Sequence, residues 1–330
     1  MKRSILWQAH LLCAAGVAGL ALGWAQPAVA DDSFPSRTVR IVVPFPPGTA
    51  ADALPRLVAQ RLSVRWGQPV VIENRPGAAG NIGADAVAKS APDGYTLLAS
   101  PPPPIAINQS LYPRLSFDPK AFVPVTIIGS APNVLAVHPS LPVRDVAELV
   151  ALARSRPGGL NYASSGSGGT PHLSMEQLKA LSGVTLVHVP YKGLAPALMD
   201  LLAARADAMF LNVGDAIKHS RAGTLRIIAV ASARPLPDLP GVPTVAETYP
   251  GFVSTTWYAF VAPQGTPPAL ATQLSRAIAD VLQQPNVVAQ LREMWIQPAG
   301  TSPAETAAFI QGEVERWSRV ITSAGVKLDE

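Results

Sequence analysis

The sequence predicts an α/β protein built from largely parallel sheets flanked by helices. Two observations carry this. Short β-branched runs alternate with stretches of helical hydrophobic period. In addition, two strand–loop–helix units, about 120 residues apart, each aim a helix start at something small. Unpaired N–H groups and the positive end of the helix dipole make such a start suited to an anion.

In chain order, Val39–Val43 is a strand, and Leu54, Leu57, Val58, Arg61 and Leu62 recur at helical spacing until Gly67. Val70–Ile72 is a strand, Ile82–Lys89 a helix and Tyr95–Ala99 a strand, which completes a βαβαβ order with right-handed crossovers. Thr126–Ile128 and Val134–Val137 read as two strands flanking Ala131-Pro132-Asn133. A helix at Asp145–Ser155 precedes the second unit, whose helix spans Pro171–Ser182. Val184–Val189 is a strand, the leucines from Leu194 to Leu202 mark a helix face, and Arg226–Ala231 and Trp257–Ala262 are strands. Helices at Pro268–Leu282, Val287–Met294 and Pro303–Ala324 close the chain.

At the N-terminus, Lys2 and Arg3 precede an apolar stretch from Ile5 to Ala25, and Ala28-Val29-Ala30 has the small-x-small pattern of a cleavage site. This is the layout of a secretory signal peptide cleaved near Ala30, which places the mature protein in the periplasm. The alternative is an uncleaved anchor, since the stretch approaches spanning length. Cys13, the only cysteine, lies in this leader, so disulfides and cysteine-based sites are not expected in the mature chain. About 300 residues remain, enough for two lobes. Without Lys2 and Arg3, 24 basic side chains face 22 acidic ones, a balance that excludes a nucleic-acid or membrane footprint. The 34 prolines mark short connections, and with 48% hydrophobic residues the chain is folded.

The first loop is Pro44-Phe45-Pro46-Pro47-Gly48-Thr49-Ala50-Ala51-Asp52. A helix starting at Thr49 would bury Pro55 in its interior and lose a hydrogen bond. With Asp52 as N-cap, Pro55 falls in the first turn, where it is harmless. The expectation is therefore that Asp52 caps its own helix and that N–H groups from Gly48 to Ala51 face a ligand. The second loop is Ser164-Ser165-Gly166-Ser167-Gly168-Gly169-Thr170-Pro171-His172. There Thr170 is the expected N-cap and Pro171 the first helical residue. Its glycines permit close backbone approach and its hydroxyls supply donors. The other reading is a surface loop with no ligand.

Sharper chemistry is not indicated. The chain has no P-loop, no complete dinucleotide fingerprint and no G-x-S-x-G elbow. Ser167 with His172 is the enzymatic alternative, although its order and context do not match a triad. His172 and Glu176 lie at i, i+4, either as half a metal site or as a solvated pair. Trp257 and Tyr258 either line a cleft or belong to the core.

Several stretches in this order resemble a known family: Val43-Pro44-Phe45 with Pro47-Gly48 and Asp52; Glu73 through Gly83; Pro92 through Leu98; His188 through Gly193; Ala195-Pro196-Ala197; and Val242 through Glu247. They are similar to the periplasmic substrate-binding proteins of tripartite tricarboxylate transporters, the Bug receptors, over nearly all of the mature chain. The resemblance implies a two-lobed type II periplasmic-binding fold, with lobes at 31–133 plus 257–330 and at 134–256. It implies a monomer that needs no cofactor, has no catalytic step, captures a small organic carboxylate and delivers it to membrane permease subunits. A ligand-sensing receptor of the same fold, a serine-loop hydrolase and a scaffold with a blocked pocket are the alternatives. By resemblance the first lobe contributes Phe45, Pro46, Pro47, Gly48, Thr49, Ala50 and Asp52, with Ser100, Pro102 and Asn108. The second contributes Ser165, Gly168, Gly169, Thr170 and His172, with Asn212.

Three departures stand out. Thr49 replaces a usual second glycine, and Gly169 replaces a common hydroxyl. Pro101-Pro102-Pro103-Pro104 stands where relatives place small hydroxyl residues. Proline has no N–H, so the expected ligand has one firmly held carboxylate and a less polar remainder.

Overall fold

The computed structural model describes residues 34–328. The expected leader, with Cys13 and the cleavage point at Ala30, lies outside the described residues. Contacts divide the chain after Ser36. Of the first unit only residues 34–36 are described, and the Phe34–Pro35 bond there is cis.

The second unit begins with β1 (Val39–Val43), α1 (Ala50–Trp66), β2 (Val70–Asn74), α2 (Asn81–Ala88) and β3 (Thr96–Ser100). β1 pairs in parallel with both β2 and β3, as the βαβαβ order requires. On α1, Leu54, Leu57, Val58 and Leu62 are buried on one face, and Gly67, left-handed at φ 62°, ends the helix. A one-turn π-helix at Pro103–Ile107 leads into α3 (Asn108–Leu111).

β4 (Val123–Val137) is a single 15-residue strand rather than the two expected. Val123–Pro132 pairs antiparallel with β9 (Thr255–Ala262), and Asn133–Val137 with β7 (Ala208–Asn212). Pro132 does not end the strand, because β4 changes neighbours at this point and the ladder already shifts register at two places before it. β8 (Arg226–Val230) also pairs with the C-terminal half of β4. β5 (Asn161–Ser164) lies parallel to β7 and to β6 (Val187–Pro190), which is shorter than the run expected from Val184.

The helices of this half are α4 (Val146–Ser155), α5 (Thr170–Ser182), α6 (Leu194–Leu202), α7 (Val213–Arg221) and α8 (Val245–Thr248). Alternate residues of β4 feed opposite cores. Leu135 and Val137 pack with α4 and α5, whereas Val134 and Ala136 pack with α6 and α7. Helices thus cover both faces of β4, although its own pairings are antiparallel; the parallel pairings of this half are those of β5 with β6 and β7. The chain ends with α9 (Pro268–Leu282), α10 (Pro285–Glu293), β10 (Gln297–Pro298) and α11 (Pro303–Ala324). β3 joins β9 antiparallel, giving the order β2-β1-β3-β9-β4-β7-β5-β6, with β8 and β10 also on β4. Trp257, expected either in a cleft or in the core, is fully buried with Val42, Leu98 and Ile127.

Candidate functional site

Both loops leave the C-terminal end of a strand and turn into a helix by the same device. In the first, Gly48 has φ 86°, Thr49 is extended at the N-cap, and Ala50 opens α1. Asp52 is therefore the third helical residue and not the N-cap, which corrects the expectation based on Pro55. Pro55 does lie inside α1, and the missing N–H is tolerated because the helix face bearing Leu54, Leu57 and Val58 is buried. The Asp52 carboxylate reaches back to accept the Gly48 N–H at 3.1 Å. That N–H is consequently committed, and Thr49, Ala50 and Ala51 are left without intrahelical acceptors.

In the second loop, Gly168 has φ 82°, Gly169 is the extended N-cap and Thr170 opens α5. The start falls one residue earlier than expected. His172, again the third helical residue, accepts the Gly168 N–H on Nδ1 at 3.1 Å. Its ring proton therefore resides on Nε2. Burial, with the adjacent His188 and Lys179, pushes the imidazole down to about 3, so the ring is neutral near pH 7. In each loop, then, a left-handed glycine precedes the N-cap and a side chain four residues on holds its N–H.

The neighbouring strand braces each device. Asn74, at the end of β2, donates to the Phe45 carbonyl at 3.0 Å and to Asp52 at 2.9 Å, while its own carbonyl accepts from Arg56. On the other side, His188 of β6 stacks on His172 with ring centroids 4.1 Å apart and bonds Ser164 at 2.7 Å. Asn74 and His188 were not singled out from the sequence as site residues, although both lie in the stretches that carried the family resemblance. Burial works to raise the Asp52 carboxyl, but hydrogen bonds from Arg56, Asn74 and the Gly48 N–H outweigh it and hold it below the usual carboxylate range. Glu176 accepts from Tyr162 and Lys179 and does not pair with His172. Among the described residues no cluster of metal-ligand type occurs.

The proline run acts as a brace. Pro101 through Pro104 are buried. The Pro102 carbonyl accepts N–H groups of Ile105, Ala106 and Ile107, which forms the π turn. Ser100 turns its hydroxyl onto the Pro101 carbonyl at 2.9 Å. Gly80 lies so close to Pro104 and Phe45 that a side chain there would run within 3.1 Å of the first and 3.3 Å of the second. Asn108, fully buried, donates to the Ala79 carbonyl at 3.1 Å and to Asn81 at 2.6 Å, holding a turn in which residues 77–80 all have positive φ. On the other side, a side chain at Gly168 would approach Leu111 of α3 within 2.9 Å. A continuous line of contacts therefore joins the second loop, α3, the 77–80 turn and the first loop.

Asn212 stands at the N-cap position of α7 without a side-chain capping bond, and its amide donates to the Tyr258 hydroxyl at 3.4 Å. It pairs in register with Asn133. The Asn133 amide bonds Ser254 at 2.7 Å, Ser254 bonds Ser174, and Ser174 donates to the Thr170 carbonyl at 2.7 Å. A polar seam thus runs from Asn133, the strand partner of Asn212, to the second loop. Six buried side-chain polar atoms lack a partner among the described residues, and three of them, Asn108 Oδ1, Thr170 Oγ1 and Asn212 Oδ1, belong to expected site residues. Ser165 shows no comparable anchoring. A groove of about 460 Å³ lined by Gln177, Leu181, Arg316 and Arg319 contains none of the candidate residues. Another of the orphaned atoms, Gln177 Oε1, belongs to that groove; the three on expected site residues are each costly to bury without a ligand or water as partner.

The sequence profile of the tripartite tricarboxylate transporter family receptor matches residues 54–326. The chain belongs to this family. As a receptor of this family it is 39% identical to Protein BugT of Bordetella pertussis over 322 residues, covering 97% of this chain and 98% of that one. Its fold matches that of R. palustris Rpa4515 with adipate at TM-score 0.83 and 40% identity, covering 90% of this chain and all of the other. It also matches MatC from Rhodopseudomonas palustris with bound malate at TM-score 0.79 and 32% identity, covering 87% of this chain and all of the other. The receptor fold expected from the sequence is thus borne out.

Proposed function

We propose that this receptor works in the periplasm, as a monomer, by closing two halves around one carboxylate and presenting it to membrane permease subunits. The observation that supports this reading is that two helix starts are built alike and that three orphaned buried polar atoms belong to residues expected at the same site. The free N–H groups at Thr49, Ala50 and Ala51 would hold the carboxylate from one side, and Ser165, Gly169 and Thr170 from the other. Residues 31–133 with 257–330 would form one half and residues 134–256 the other. The change of partners along β4 at Asn133, and the return along β9, support that division. Adipate and malate in the two related structures support an organic acid as ligand.

The proline run offers no backbone donors, so beyond the held carboxylate this pocket favours a monoacid over a tricarboxylate. Calorimetric titration with mono-, di- and tricarboxylates tests this. Submillimolar binding of at least one monoacid is expected. Preference for a tricarboxylate would overturn the monoacid reading, and failure of all acids to bind would overturn carboxylate capture.

A further inference from the structure

α11 grips the chain on both sides of the start of β9. Its Glu313 carboxylate accepts the indole N–H of Trp257 at 2.7 Å and that of Trp317 at 3.2 Å. The same carboxylate takes Nε and Nη2 of Arg316, both at 2.8 Å, in the two-pronged geometry that a guanidinium offers and an ammonium does not. The guanidinium also lies over the Trp317 ring, 4.0 Å from its centroid. Fork and ring together fix its plane. Nη1 is thereby aimed at the Val253 carbonyl, to which it donates at 2.8 Å.

The next residue, Ser254, is fully buried. Its N–H is held by the Ala231 carbonyl at 2.7 Å, and its carbonyl accepts the Asn133 N–H at 3.1 Å. Ser174 spends its single hydroxyl proton on the Thr170 carbonyl, so it accepts from Ser254, and Ser254 accepts from the Asn133 amide. The row therefore runs one way, from Asn133 to Thr170, with every hydroxyl proton committed. A shift of the 253–254 backbone is passed along it to the first turn of α5. A second, apolar route reaches the same turn: Leu173, fully buried, packs with Trp317, Val320 and Ile321 of α11 and with Ile107 of the π turn. Both routes end within Thr170–Ser174, the turn that bears the orphaned Thr170 hydroxyl.

We propose that Arg316 is a positioning residue of this receptor. Aimed by Glu313 and Trp317, it fixes Val253 and, through Ser254 and Ser174, sets where Thr170 and the second loop meet the acid. It acts through these residues and not by contact with the acid. This rests on the carboxylate reading above and deepens it.

Amide hydrogen exchange of the unliganded mature protein tests the placement, comparing wild type with Arg316→Ala, Arg316→Lys and Ile278→Val, a change in the buried face of α9. In Arg316→Ala, protection of Gly168–Ser174 should fall about tenfold relative to that of β1 and α9, the size of a charge-assisted hydrogen bond. A lysine can meet Glu313 or the Val253 carbonyl but has no fork, so Arg316→Lys should recover only part of this. Ile278→Val should lower protection without singling out the loop. The same proteins are titrated with butyrate, benzoate, adipate, malate and citrate. Whichever of these binds the wild type most tightly should bind Arg316→Ala about fivefold more weakly. Thermal unfolding checks that the variants fold; if Arg316→Ala does not, Arg316→Lys decides on the same two readouts. Protection lost evenly over the whole chain, or undiminished affinity, overturns the positioning role and leaves carboxylate capture standing. If none of the five acids binds the wild type, the carboxylate reading fails and the role in binding fails with it.

Discussion

Asp52 does three things with one carboxylate: it holds the Gly48 N–H, anchors Asn74 and pairs with Arg56 at 2.9 Å. Its folded-state pKa is depressed, so the stabilisation it provides is present above the unfolded carboxylate value and is lost as pH falls through the folded one. Asp52→Asn is expected to cost about 1–3 kcal/mol at pH 7, as loss of charge-assisted hydrogen bonds does. The gap between wild type and variant should narrow below about pH 4, as the wild-type carboxylate itself protonates. Urea unfolding at pH 7 and pH 3.5 measures both; an equal gap at the two values would refute the assignment. At this scale the sequence was partly legible. The residues of both loops stand out by type and spacing, but which atom holds which N–H depends on where the helix begins. Proline rules alone placed that start three residues too late for Asp52 to be read as a third-position acceptor.

Among the elements, α2 fixes the first loop through Gly83. A side chain there would stand 2.7 Å from Pro44 Cβ and 2.9 Å from the Arg75 carbonyl, and backbone carries much of that contact. Gly83→Ala is expected to destabilise by roughly 1–3 kcal/mol, as overpacking does, and to weaken ligand binding because Pro44 opens the loop. Denaturant unfolding with parallel calorimetric titration tests both; a neutral substitution would show that Pro44 is free to move. Helices were the most legible elements: α9 and α11 begin and end where their proline and glycine signals place them. Strands were less so. β4 reads as two runs because Pro132 interrupts it, yet the strand continues, since its partners change there and no single ladder needs the missing N–H throughout. β7 and α7 meet at Asn212. Apart from Asn212 they gave no distinct signal, because a fully buried strand running directly into a helix shows neither alternation nor a break.

For the whole molecule, β4 and β9 are the strands that count most. β4 pairs with β9, β7, β8 and β10, so the two halves of the sheet share a backbone element instead of meeting through side chains alone. Local opening of one half would disrupt the ladder of the other. Thermal unfolding should therefore give one cooperative transition, with agreement between calorimetric and van't Hoff enthalpies. A bound acid at one hundred times its Kd should stabilise that single transition by about 2.7 kcal/mol. Two resolved transitions, only one of them shifted by ligand, would show that the halves unfold separately.

The matched helix starts differ in one respect, the third-position side chain, which is an aspartate in one loop and a neutral imidazole in the other. The geometry would accept a carboxylate at either place, but an anionic guest would then sit between two fixed negative charges rather than beside one. His172 thus closes its loop at no electrostatic cost to the guest. His172→Asp should preserve the loop and yet weaken acid binding more than His172→Asn does, with the difference shrinking as salt is added.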